Sequence, residues 1–216
     1  GEWLKETSTE KRPEHIKFLD FPYTKDHEFD PEMIPNPKKV AGIFIETYQG
    51  WGAWMYPKSY LQSLIKFCNE NGILVCFDEV QAGVFRMGSF FGFAKYDLPV
   101  SPDFVCLSKG LSSSLPHGGL VLKESVAKET GLNYQGTFSD TPLVLNATLA
   151  NLEFLERHAQ SSEFKYAQNA FYERCQGLTK FEEIKALNVE GMVAGVIFDS
   201  KETADQVVKE CLVRGV

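Results

Sequence analysis

Three short apolar runs, each ending on charged residues, constrain the fold of this chain more than any other feature. They lie within "VAGIFIE", "ILVCFDE" and "DFVCLSK", at 40–46, 73–79 and 103–109. Such runs are typical of strands covered on both faces of a parallel sheet. The intervening "PKSYLQSLIKFCNENG" predicts a helix with an apolar face and a glycine stop. We therefore predict an α/β fold with a mostly parallel sheet, flanking helices and right-handed crossovers.

Composition excludes several classes of protein. The 216 residues carry a net charge of −7, which argues against a nucleic-acid surface. No apolar run approaches the roughly 20 residues that span a bilayer, so no membrane association is expected. The charged N-terminus shows no signal peptide, and the five cysteines are an odd number without a CxxC pair. These features favour a reducing, cytoplasmic compartment.

The charged strand ends form a candidate site. Glu46, Asp78 and Lys109 each follow an apolar run, and a glycine-containing turn comes after each of them. Because the carboxyl ends of parallel strands open on one edge of a sheet, these three side chains should converge there. Taken singly, each is more often a solvated strand terminus than a catalyst, so the candidate depends on all three together.

An amine facing a carboxylate suggests pyridoxal phosphate chemistry. A lysine amine condenses with the cofactor's aldehyde, and a carboxylate keeps the ring nitrogen protonated so that the ring acts as an electron sink. Side chains alternate along a strand, so Asp78 and Val80 should project to one side and Glu79 to the other. We therefore assign Asp78 as the ring-nitrogen partner and Glu79 as a structural residue.

Three segments in unbroken order carry a family resemblance. "GILVCFDEVQAGVFRMGSFFGF", "PDFVCLSKGLSSSLPHGGLVL" and "GTFSDTPLVLNATLANLEFLE" resemble the class III aminotransferases, which are pyridoxal-phosphate enzymes of fold type I. By position, the resemblance makes Lys109 the Schiff-base lysine and Asp78 the pyridine-nitrogen partner. Val80 would pack on the ring, and Gln81 would reach its phenolic oxygen. Thr137 resembles the threonine that binds the cofactor phosphate across a dimer interface. The site-lining residues implied by the strand-end motif are Glu46 and Gln49.

The resemblance also implies an activity and a domain organisation. It implies transamination from an amino acid or amine to a keto acid or aldehyde, by a homodimer with its cofactor site at the interface. The chain would be the central portion of such an enzyme, without its N-terminal part or the end of its C-terminal domain. Residues 1–38 would be a lead-in, 39–156 part of the large cofactor-binding domain with its connecting helix, and 157–216 the start of a small α+β domain.

Departures from the family pattern bear on the substrate. Thr47 and Tyr48 stand where the family usually has proline after the glutamate. An aromatic group then follows, which is either a loop packed under a neighbouring element or a reshaped substrate mouth; its members are Trp51, Trp54 and Tyr56. His117 lies near the proposed site and is assigned as a loop residue, and no zinc signature is present.

Three other functions compete with transamination. Aminomutases and racemases share the first proton abstraction and differ in where the proton returns. "ILVCFDEV" also has the pattern of a Walker B strand in a nucleotide hydrolase, but no GxxxxGK[ST] precedes it in this sequence. A catalytically inactive homologue would keep the fold and the dimer surface without needing Lys109.

Overall fold

The computed structural model describes residues 14–113, 115–131 and 141–216. A four-stranded sheet in the order β1-β4-β5-β6 forms its centre. The strands of this sheet are β1 (Gly42–Glu46), β4 (Leu74–Asp78), β5 (Phe104–Leu107) and β6 (Gly119–Leu122). The remaining strands of the described residues form two antiparallel hairpins. These are β2 (Tyr48–Gln49) with β3 (Trp54–Met55), and β7 (Ile184–Glu190) with β8 (Val193–Phe198).

Five α-helices accompany these strands in the described residues. They are α1 (Lys58–Glu70), α2 (Glu124–Thr130), α3 (Pro142–His158), α4 (Ser162–Gln176) and α5 (Lys201–Val213). Short 3-10 helices occur at Pro31–Met33, Pro37–Lys39, Gly92–Tyr96, Lys109–Leu111 and Gly177–Lys180.

The sheet is mostly parallel, as predicted. Strands β1, β4 and β5 run in one direction, and only β6 pairs antiparallel with β5. A parallel pair needs a long crossover, usually a helix, and α1 supplies one between β1 and β4. The short segment 108–118 between β5 and β6 holds no α-helix in its described residues, so the chain turns back on itself.

Helix α1 covers one face of this sheet. Its predicted apolar residues are all buried, and they pack with Ile45 of β1 and Phe77 of β4 in one cluster. Pro57 lies at the N-cap, and Gly72 takes a positive φ just after the helix, as a stop signal requires. The buried residues of the helix are Tyr60, Leu61, Leu64, Ile65 and Cys68.

The segment before β1 adds to the same core. Phe29 and Ile34 are buried in the cluster formed with α1. Between them, the Asp30 carboxylate accepts a hydrogen bond from the Glu32 N–H at 2.9 Å and caps the first 3-10 helix. This stretch of the chain thereby fixes the outer side of α1.

The β7–β8 hairpin packs against the short β2–β3 hairpin. Asn188 Nδ2 donates to the Gly52 carbonyl at 2.7 Å. A Cβ on Gly195 would overlap that same carbonyl oxygen, so only glycine fits there. Lys95 also forms an ion pair with Glu190 of β7. These contacts join the C-terminal part of the chain to the strand-end region, while the domain boundaries at 38 and 156 remain predictions.

No helix in the described part of the chain combines the length and the apolar character needed to cross a membrane.

Candidate active site

The ends of β1, β4 and β5 meet at a small cleft. The strand register places Glu46 beside Asp78, and Asp78 beside Cys106, while Lys109 follows shortly after β5. The cleft has a volume of about 90 Å³. Its lining residues are Glu46, Tyr48, Asp78, Val80, Gln81, Ala82 and Lys109. The charged strand ends therefore converge, as their positions in the sequence predict.

Asp78 presents its carboxylate at the end of β4. The side chain is exposed, and Oδ1 accepts a hydrogen bond from the Val80 N–H at 3.0 Å. This short-range bond fixes the orientation of the carboxylate, which keeps further lone pairs for a ligand in the cleft.

Glu79 points the other way and serves the interior. It is only 1% exposed. Its carboxylate accepts hydrogen bonds from the N–H groups of Gly92 (2.6 Å) and Phe93 (2.9 Å), and from the Thr47 hydroxyl. Burial raises the pKa of Glu79, although these three donors act in the opposite direction. Glu79 thus joins the β1 end to the 92–93 turn. Thr47 supplies a hydroxyl donor to this carboxylate that a proline at the same position would lack.

Glu46 and Gln81 shape the turn beyond β1. Glu46 Oε2 accepts the Gly50 N–H at 2.9 Å. A Cβ on Gly50 would lie 2.6 Å from Gln81 Nε2, so glycine allows the Gln81 amide to approach. Glu46 therefore holds the turn at Gly50, and the Gln81 amide packs closely against that turn.

Lys109 occupies an unusual backbone conformation. Its φ is +45°, in the left-handed region that residues with a Cβ seldom adopt. The preceding Ser108 is extended, and a 3-10 turn starts at Lys109 itself. A strained residue of this kind persists only where its surroundings hold it, and such residues cluster at functional sites.

Tyr48 is a lining residue that the sequence-based site omitted. It is 4% exposed, and burial raises the pKa of its hydroxyl, with Glu46 and Glu79 adding to the effect and Arg86 opposing it. The signal was available, because Glu46 and Tyr48 are two residues apart along an extended chain and so share a side. Ala82 also lines the cleft, and it lies in the turn after β4, where strand alternation gives no signal for it.

One proposed site residue, Gln49, is not part of the cleft lining. It lies on β2 opposite Trp54. Thr137 falls outside the described residues. His117, assigned to a loop, forms a 2.6 Å hydrogen bond through Nδ1 with Thr148 Oγ1 of α3.

The aromatic group near the site divides into packed and exposed members. Trp54 contacts the Tyr23 ring edge-on, and Tyr56 packs against Phe21 and Tyr60. Trp51 is 53% exposed at the tip of the β2–β3 turn. Packing under a neighbouring segment therefore accounts for Trp54 and Tyr56, and Trp51 alone is open to solvent.

Comparison with protein families decides the assignment. The family model for "Aminotransferase class-III" matches residues 24–216, which is most of the chain. The chain belongs to the class III aminotransferase family. The Walker B interpretation of "ILVCFDEV" is therefore wrong: in this family the strand that ends at Asp78 is not part of a nucleotide hydrolase.

Curated relatives and solved structures agree with the family. An acetylornithine aminotransferase of Nitrosomonas europaea is 31% identical over 92% of this chain and 50% of its own length. That of Methanocaldococcus jannaschii is 33% identical over 94% and 50%. A crystal structure of an S-selective transaminase from Arthrobacter sp. is 30% identical, with a TM-score of 0.70 over 80% of this chain and 38% of that one. The chain spans about half the length of these curated relatives.

The cleft residues fit the ring portion of pyridoxal phosphate. They provide an amine at Lys109, a carboxylate at Asp78, an amide at Gln81 and an apolar contact at Val80. No cationic side chain other than Lys109 lines the cleft among the described residues. A volume of about 90 Å³ is also well below the roughly 300 Å³ at the lower end of ligand pockets. Among the described residues, the lining of the cleft therefore suits the ring portion of the cofactor and offers no second cation for its phosphate.

Proposed function

We propose that this chain carries the lysine-bearing wall of a pyridoxal-phosphate-dependent transaminase. The enzyme would move an amino group from an amino acid or amine to a keto acid or aldehyde. The observation that carries the proposal is the placement of Lys109 and Asp78 in one cleft of a class III family member. A binding protein of the same fold would have no use for this pair.

Each lining residue has a proposed role. When bound, pyridoxal phosphate supplies an electron sink for the carbon next to the transferred nitrogen. Lys109 Nζ holds the cofactor and then takes a proton from the substrate carbon and returns it, as general base and acid. The Asp78 carboxylate accepts a hydrogen bond from the protonated ring nitrogen. Val80 packs on the ring, and Gln81 donates to its phenolic oxygen.

Amines are the proposed class of amino donor. The curated relatives are named acetylornithine aminotransferases, and the similar structures include S-selective transaminases, one of them with alanine bound. Tyr48 lines the cleft, and both Tyr48 and Trp51 lie in the segment that departs from the family pattern. We therefore propose the broad class of primary amines, either amino acids or simple amines, as donors. Alanine is the first donor to test.

Assembly is proposed from the family resemblance. A homodimer would bring Thr137 of one copy to the cofactor phosphate of the other. Measurement of the molecular mass by analytical ultracentrifugation tests this, since a monomeric active enzyme would contradict it.

Covalent trapping tests the function directly. The native protein carrying this chain is incubated with pyridoxal phosphate, reduced with borohydride and mapped by peptide mass spectrometry. The modification should lie on Lys109, and Lys109→Ala should abolish it. Lys123→Ala is the matched control, because Lys123 lies just beyond the neighbouring β6 and pairs with Asp103 outside the cleft. Labelling on another lysine, or none, rejects the proposal.

Product analysis separates transamination from its alternatives. A transaminase consumes one amine and one carbonyl compound and releases one of each. An aminomutase or racemase converts a single amino acid without an acceptor. Turnover that needs no carbonyl acceptor would therefore replace transamination with one of these activities.

A further inference from the structure

The backbone after Lys109 is held by one side chain of a distant helix. Asn151 of α3 donates through Nδ2 to the carbonyl of Gly110 at 2.8 Å and to that of Leu111 at 3.0 Å. Both partners are acceptors, so the amide nitrogen must face them. The two carbonyls directly follow the residue whose φ is +45°.

The other flank of Lys109 is tied to the same helix. Ser108 Oγ donates to the His117 carbonyl at 2.7 Å, and His117 Nδ1 forms a 2.6 Å hydrogen bond with Thr148 Oγ1. Thr148 is 8% exposed and is the buried residue of α3. Contacts from α3 therefore reach the chain on both sides of Lys109.

These contacts share one helix face. Positions 148, 151 and 152 are spaced i, i+3 and i+4, which places them together on the helix surface. Leu152 packs against the cluster that contains Leu111 and Leu107 of β5. The apolar contact sets the distance between α3 and the loop, and Asn151 sets the direction of the carbonyls.

We propose that Asn151 is a positioning residue for the Lys109 amine. A left-handed lysine is unfavourable unless neighbouring contacts fix it, and the two Asn151 hydrogen bonds fix the peptides next to it. These bonds fix the peptides from which the Lys109 side chain extends, at the wall of the cleft that Asp78 also lines. This inference depends on the proposed function of Lys109 and adds a second helix to the catalytic apparatus.

Two variants test it in the native protein. Asn151→Asp removes the donors and keeps the shape, while Asn151→Leu removes them without adding a charge. Asn146→Asp is the matched control, because Asn146 lies on the same helix, is exposed and bonds only the Pro142 carbonyl among its described contacts. Circular dichroism and thermal unfolding establish that all three variants are folded.

The measurements are cofactor attachment and its pH dependence. Both Asn151 variants should still attach pyridoxal phosphate at Lys109, but roughly tenfold more slowly, since they lack two hydrogen bonds that position the amine. The pH midpoint of the bound cofactor's visible absorbance should shift by at least about half a unit, because the environment of the amine differs. The kcat should fall more than the KM rises, and Asn146→Asp should match the wild type.

The outcomes distinguish this inference from the proposed function. Attachment rates and pH midpoints equal to those of the wild type in both Asn151 variants would overturn the positioning role while leaving Lys109 as the catalytic lysine. Absence of attachment at Lys109 in the wild type would overturn the proposed function itself, and the positioning role with it.

Discussion

Asp78 and Lys109 line one cleft, although Asp78 ends β4 and Lys109 follows β5. Their strands, β4 and β5, are parallel neighbours, so both chains leave the sheet at the same edge. The antiparallel return into β6 then keeps the Lys109 loop close to that edge. The pairing of amine and carboxylate is thus a direct consequence of strand direction.

Replacing Asp78 with asparagine should reduce turnover without preventing cofactor attachment. Asparagine keeps the shape but loses the charge that stabilises a protonated ring nitrogen. The loss of one hydrogen bond between charged groups predicts a fall in kcat of roughly ten- to a hundredfold. Steady-state kinetics together with borohydride trapping would measure the two effects separately.

The control for Asp78→Asn is Asp97→Asn. Asp97 lies in an exposed ion pair with Lys58, and its left-handed backbone is one that asparagine tolerates. Its turnover should equal that of the wild type. Equal turnover in Asp78→Asn would contradict the assigned role of Asp78.

Shortening Tyr48 should widen the range of accepted amines. The ring is buried at the cleft wall, so Tyr48→Ala opens space beside Lys109. We expect a loss of about 3 kcal/mol in the free energy of unfolding, typical of a buried aromatic truncated to alanine. The ratio of kcat/KM for a bulky amine to that for alanine should rise roughly tenfold. The control is Tyr172→Ala on the exposed side of α4, which should change neither the unfolding free energy nor the kcat/KM ratio. An unchanged kcat/KM ratio in Tyr48→Ala would show that Tyr48 does not limit substrate size.

Glu79 should make stability depend on pH in a defined direction. Its pKa is raised in the folded state, so the folded protein binds the proton more tightly than the unfolded chain does. The wild type should therefore lose stability relative to Glu79→Gln as the pH rises. The loss should begin at about pH 4, near the ordinary glutamate pKa, and continue through the raised pKa of Glu79 in the folded protein. Urea unfolding across this pH range measures the difference. Parallel stability curves for the two proteins would exclude this contribution.

Gly195→Ala should separate the two hairpins. The added methyl group would overlap the Gly52 carbonyl oxygen, and backbone cannot yield as a flexible side chain does. A loss of about 1–3 kcal/mol in unfolding free energy is expected from such overpacking. Gly177→Ala is the control, because a Cβ there meets nothing within 4 Å and its φ is −59°. If thermal denaturation shows equal stability for both variants, the close packing of the two hairpins does not contribute to the stability of the protein.

Sequence reasoning located most of the cleft because strand ends follow a simple rule. Glu46, Asp78 and Lys109 line the cleft, as their positions at the ends of apolar runs predict. Val80 and Gln81, which the family resemblance implied, line it as well. Tyr48 was not predicted as a lining residue, although it lies two residues after Glu46 on the same side of the chain. Asn151 could not be found, since its partners are backbone carbonyls that leave no trace in side-chain patterns.

The elements of the fold were predicted better than their burial. Helix α1 forms at the predicted place, and the three apolar runs form β1, β4 and β5. On α3, the apolar side chains of Leu145 and Leu149 are exposed in the described structure, whereas Thr148 is buried. Likewise, β1 reads as a strand covered on both faces, yet Phe44 is 81% exposed. Periodicity shows which residues are apolar, but contacts with other parts of a fold decide which of them are covered.

Gly195 packs closely against the Gly52 backbone, and Asn188 donates a hydrogen bond to the Gly52 carbonyl. These contacts affect how the substrate range could be altered. The 48–54 segment beside the cleft packs against the β7–β8 hairpin through these contacts. A bulkier residue in that segment must therefore also be accommodated by the hairpin. Libraries that randomise only 48–54 should yield few productive variants. Randomising 188–195 at the same time should yield many more active variants, because the two packed segments can then change together.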